Sequence, residues 1–86
     1  MLYGRVTGQL TAARKTDALA GYKLLLVQPK SDKSPHGELG SVVVAVDLLG
    51  AGVGEDVIVA FGRAARMAIG KENLPIEAAV IGIVDQ

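Results

Sequence analysis

Hydrophobic and polar positions alternate strictly at the start of the chain. Every second position from 2 to 10 holds an apolar residue or glycine, and the positions between them are polar or aromatic. A period of two is typical of a half-buried β-strand, and glycines within it indicate a bend or a close backbone approach. We therefore predict that one set faces the interior and the other faces outward. The inward set is Leu2, Gly4, Val6, Gly8 and Leu10, and the outward set is Tyr3, Arg5, Thr7 and Gln9.

Four more apolar segments have the length of strands. They are KLLLVQ at 23–28, SVVVAVDLL at 41–49, VIVAFG at 57–62 and AAVIGIVD at 78–85. We expect the first of them to stop at Pro29, because proline cannot donate to a strand ladder, and we predict a loop for PKSDKSPHGELG at 29–40. The segment RAARMAI at 63–69 favours one or two helical turns, which Gly70 would end.

Five short strands and one helix predict a mainly β fold, a small five-stranded OB-like β-barrel that assembles as a ring. A sandwich of two sheets is the alternative arrangement of the same strands. The 86 residues suffice for one domain, 1–86. Half of them are hydrophobic and the mean hydropathy is +0.38, more apolar surface than so small a core can hold. We therefore predict association with further copies of the chain.

The balance of acidic and basic residues gives no indication of a polyanionic binding partner. Nine basic residues match nine acidic ones, which gives no electrostatic reason to expect nucleic acid or an anionic membrane. Cysteine is absent, which excludes disulfides and thiolate chemistry. The first ten residues lack the apolar core of a signal peptide, and no apolar run approaches the ~20 residues that span a bilayer. We expect a soluble, cytoplasmic protein.

The glycine corner, GAGVGE at 50–55, is the one motif that suggests phosphate binding. Gly50, Gly52 and Gly54 are evenly spaced, whereas a dinucleotide fingerprint needs its third glycine three positions after the second and a helix afterwards. Glu55 stands where that glycine should be, and an acidic side chain repels phosphate. We interpret the corner as a tight structural turn. We expect at least one of its glycines to have positive φ or to pack against backbone, and Glu55 to accept turn N–H groups.

No residue pattern predicts catalysis, a cofactor or a metal. His36 is the only histidine and lies in the predicted loop, without the orienting partner of a general base or further metal ligands. Glu55 and Asp56 are adjacent, so a strand would point them to opposite faces rather than pair them. We predict that the protein is not an enzyme.

The chain resembles a known family, the pentameric vertex proteins of bacterial microcompartment shells, of the EutN/CcmL type. The similarity covers nearly the whole chain. It lies in RVTGQL, GYKLLLVQ, VAVDLLGAGVGEDVIV, GRAAR and PIEAAVIGIVD, taken in this order. Arg66 matches the arginine of the family's GRAAR-like segment, whereas Arg63 stands where the family usually has serine. That substitution would add five positive charges to a five-membered ring.

The resemblance implies a homo-pentamer that caps shell vertices, because hexagonal tiles alone form flat sheets and a closed shell needs pentagons. It also implies hexagonal shell proteins as partners and a location in the microcompartment shell. We predict that Arg66 lies at the subunit interface and that Arg63 faces solvent. Two alternatives stay open, an OB-type nucleic-acid-binding module and a small pore-forming or ligand-binding barrel.

Overall fold

The computed structural model describes residues 1–10, 19, 21–31, 34–38, 40–70 and 76–84. In order along the chain, the elements are β1 (Leu2–Leu10), β2 (Lys23–Ser31), β3 (Ser34–Glu38), β4 (Val43–Asp47), β5 (Asp56–Phe61), α1 (Gly62–Ile69) and β6 (Ala78–Ile83). The described elements are strands apart from this one short helix, as the sequence pattern predicted.

Five strands close into a barrel in the order β1-β5-β6-β4-β2, with β2 pairing back to β1. All of these pairs are antiparallel except β4 with β6. The predicted five-stranded barrel is confirmed, and the sandwich alternative is wrong. Closure leaves no long unpaired edge among these apolar strands, which removes a site for aggregation.

The loop predicted for 29–40 is wrong in part. β2 continues past Pro29 to Ser31, and β3 turns back to pair with its end. Pro29 is opposite Gly4 of β1, and it falls between the last β4 partner of β2, at Val27, and the first β3 partner, at Lys30. A proline is tolerated in a strand where one neighbour is missing. His36 therefore lies in β3 and not in a loop.

The barrel interior is filled by one hydrophobic core. Small and β-branched side chains dominate it, as a narrow barrel requires. Its buried members are Val6, Leu25, Val27, Ala45, Ala51, Val57, Val59, Ala78 and Val80.

A second core lies outside the barrel, beneath α1. Its buried members are Val46, Ala60, Ala65, Ile76 and Ala79. Helix α1 packs on β5 and β6 through Ala65 and ends at Gly70, whose φ is 84° and whose N–H donates to Arg66 O and Met67 O. A left-handed glycine is the usual end of a helix, so the predicted helix and its stop are confirmed.

A β-bulge at Thr7 breaks the predicted alternation of the first strand. Val6 pairs with Val27, but the next pair is Gly8 with Leu26, so Thr7 is opposite no residue of β2, although its hydroxyl donates to Leu26 O at 3.4 Å. Because the side-chain period of a strand is two, one extra residue moves all later side chains to the other face. The prediction that positions 8 and 10 face inward is therefore wrong. Gly8 and Leu10 share the outer face with Leu26 and with Leu24, the β2 partner of Leu10.

Candidate assembly surface

The first half of the glycine corner is built on the carboxylate of Asp47 at the end of β4. Asp47 Oδ1 accepts the N–H groups of Leu49 at 3.0 Å, Gly50 at 3.0 Å and Ala51 at 3.3 Å. Lys23 Nζ lies 3.7 Å from Asp47 Oδ2 and donates to Ala51 O at 3.4 Å. Asp47 therefore fixes the backbone of the corner directly after β4.

The second half of the corner is held by Glu55 and by β1. Glu55 Oε1 accepts the Gly52 N–H at 2.7 Å, and the Glu55 N–H donates to Gly52 O at 3.1 Å. Gly54 N–H donates to Val6 O at 2.8 Å, and Val6 N–H donates to Glu55 O at 2.9 Å. The corner is therefore hydrogen-bonded to β1, which is distant in sequence. The spacing of residues along the chain does not predict this contact.

Two of the three glycines occupy the left-handed region, Gly50 with φ of 82° and Gly54 with φ of 93°. Gly52 has no positive φ, and a Cβ built there would lie 3.5 Å from Glu55 Oε1, which is ordinary contact. The conformational need for glycine therefore falls on positions 50 and 54. The N–H groups of residues 49 to 52 already donate to carboxylates of the same chain, so the corner offers no free cradle for a phosphate.

Arg66 joins the helix to the segment before β6. Its Nη1 donates to Ile76 O at 3.3 Å and lies 3.5 Å from Glu77 Oε1. At the start of the helix, Gly62 N–H donates to Glu77 O at 2.8 Å. Within one subunit, Arg66 therefore has a definite anchoring role, and its place at a subunit interface stays a prediction. Arg63 is exposed on the first turn of the same helix.

A charge cluster around the buried carboxylate of Asp56 joins three strands on the outer side of the barrel. Asp56 is 4% exposed and lies opposite Arg5, whose Nε donates to Asp56 Oδ1 at 2.8 Å. Tyr3 Oη donates to Asp56 Oδ2 at 2.9 Å. Lys30 Nζ lies 3.8 Å from Asp56 Oδ1 and has no hydrogen-bond acceptor among the described residues. We call these four residues, Tyr3, Arg5, Lys30 and Asp56, the Asp56 cluster.

The cluster favours the ionised form of Asp56. The hydrogen bond from Arg5 is the largest cause, and it holds the pKa of Asp56 below the ordinary value of 3.8. The Tyr3 hydroxyl and the charge of Lys30 lower the pKa further, while burial opposes them. In the sequence, Asp56 stands out only as the neighbour of Glu55. The available indication was Arg5 at an outward position of the first strand, but the register that brings it to Asp56 was not deducible.

Apolar side chains cover a continuous part of the outer barrel surface beside the core that lies beneath α1, and Leu24 packs against that core. Leu10 is 41% exposed and Val44 is 46% exposed, while Leu24 and Leu26 between them are half-buried. Val44 lines a cleft of about 190 Å³ together with Leu24, Val46, Ile76 and Glu77. We call the four residues Leu10, Leu24, Leu26 and Val44 the apolar outer face. The bulge at Thr7 places Leu10 in it.

Nothing in the described part of the chain forms a metal site. No group of three or more histidine, aspartate or glutamate side chains there is placed to hold a metal ion. In the same residues, no helix has the length and apolar character needed to cross a membrane.

Comparison with known proteins places the chain in one family. The family model described as "Ethanolamine utilisation protein EutN/carboxysome" matches residues 1–85. The chain is 45% identical over 85 residues to the bacterial microcompartment shell vertex protein GrpN of Rhodospirillum rubrum, covering 99% of this chain and 93% of the relative. It is 42% identical over 85 residues to the carboxysome shell vertex protein CcmL of a Synechocystis strain, covering 99% of this chain and 83% of that protein.

Solved structures agree with the sequence relatives. The pentameric microcompartment shell protein GrpN from Rhodospirillum rubrum matches with a TM-score of 0.86 and 42% identity, covering 100% of this chain and 95% of that one. An ethanolamine utilization protein, EutN, matches with a TM-score of 0.91 and 38% identity, covering 100% of this chain and 88% of that one. The chain belongs to the EutN/CcmL family.

Proposed function

We propose that this protein is a structural component of a bacterial microcompartment shell, in which five copies form a ring that caps each vertex. The observation that carries the proposal is the match to GrpN, a pentameric shell vertex protein that is similar to this chain over almost its whole length. The proposed role is mechanical closure and not catalysis.

The apolar outer face supports assembly from the physical side. Leu10 is 41% exposed and Val44 is 46% exposed in one subunit. Covering these side chains with a second copy removes apolar surface from water, which lowers the free energy of the assembly. A cyclic ring of five requires a head-to-tail contact, in which each subunit offers two different surfaces. One domain of this size can provide both, because its barrel has several outer sides.

The alternative functions lack a comparable observation. A nucleic-acid-binding barrel stacks bases on exposed aromatic rings in a basic groove. Here Phe61, which is 40% exposed, is the one aromatic side chain among the described residues that is exposed rather than half-buried, and the chain has a formal net charge of zero, which gives no basic groove around it. A ligand-binding barrel needs interior space, and this interior is filled by the first hydrophobic core. Any opening would lie on the ring axis, where five copies of one loop meet.

Shell assembly tests the proposal directly. The hexagonal shell proteins of the same microcompartment are co-expressed with and without this protein, and the particles are imaged by electron microscopy. We expect closed polyhedra in its presence and elongated or open shells in its absence. Closed, sealed shells that form equally well without it, with no related vertex protein present, would contradict the proposed role.

A further inference from the structure

We draw no further inference here: the strongest candidate, the buried ammonium group of Lys30 beside Asp56 on the outer side of the barrel, belongs to the Asp56 cluster already described, and its nitrogen is closed to solvent, so that no ligand can reach it.

Discussion

Arg5 and Asp56 lie directly opposite each other on β1 and β5, and Arg5 Nε donates to Asp56 Oδ1 at 2.8 Å. The carboxylate is almost fully buried, although it lies on the outer side of the barrel. It also accepts the hydroxyl of Tyr3 and faces the ammonium group of Lys30. A single aspartate therefore joins three strands at the seam where β1 closes the barrel.

Replacing that aspartate should destabilise the subunit. Asp56→Asn keeps the shape of the side chain but removes the charge that faces Arg5 and Lys30. Because one buried acceptor group loses its charge-assisted bonds, we expect the free energy of unfolding to fall by about 1–3 kcal/mol. Urea denaturation followed by circular dichroism measures it. Glu55→Gln removes one negative charge at the neighbouring residue but keeps the Oε1 that accepts the Gly52 N–H, so it is the matched control. An equal loss in both variants would contradict the role of the cluster.

The same carboxylate gives a pH dependence of stability. The pKa of Asp56 is lowered in the folded protein from its ordinary value of 3.8, so its stabilising contribution is fully present above that value. The contribution is lost as the pH falls below 3.8 through the folded-state pKa, because the unfolded state takes up the proton before the folded state does, and the loss ends once the folded carboxylate is protonated as well. We expect the difference in stability between wild type and Asp56→Asn to shrink in this acid range. A constant difference between pH 7 and pH 2 would contradict the prediction.

Gly54 should be the more sensitive of two neighbouring glycines in the corner. Its φ is 93°, where a side chain is strained, whereas Gly52 has no positive φ. We therefore expect Gly54→Ala to lower the free energy of unfolding by about 1 kcal/mol or more, and Gly52→Ala to have a smaller effect. Thermal or urea denaturation of the two variants measures both changes in the free energy of unfolding. The interpretation fails if alanine is tolerated equally well at both positions.

Arg66 and Arg63 should differ in their effect on assembly. Arg66 donates to Ile76 O and lies 3.5 Å from Glu77, beside the cleft that Val44 of the apolar outer face lines. Arg66→Ala should therefore shift the equilibrium from rings toward smaller species in sedimentation experiments, with the monomer still β-rich. Arg63→Ala, on the exposed first turn, should leave the ring intact. Equal loss of assembly in the two variants, or no loss in either, would remove the basis for the distinction.

The sequence predicted those parts of the fold that depend on local pattern. The apolar runs that became β4, β5 and β6 were evident, and Gly70 marked the end of the helix. The barrel followed from the number and length of the strands. These features are set by residues that are close in sequence, so their periodicity and composition suffice to predict them.

Features that depend on strand pairing were not predictable in the same way. The bulge at Thr7 exists because two strands meet in a particular register, and it places Leu10 on the outer face. β2 continues through Pro29 because that residue is paired with neither β4 nor β3, which the sequence does not show. The bonds to Asp56 come from residues 51 and 53 positions away, which no local spacing brings together.

Native mass spectrometry of the purified protein measures how many chains associate. We expect a single dominant species of five chains, about 45 kDa from subunits of 8.9 kDa, at micromolar concentration. That assembly should persist on dilution, because its contacts bury the apolar outer face. A stable monomer of 8.9 kDa at the same concentration would contradict both the pentameric ring and the vertex function built on it.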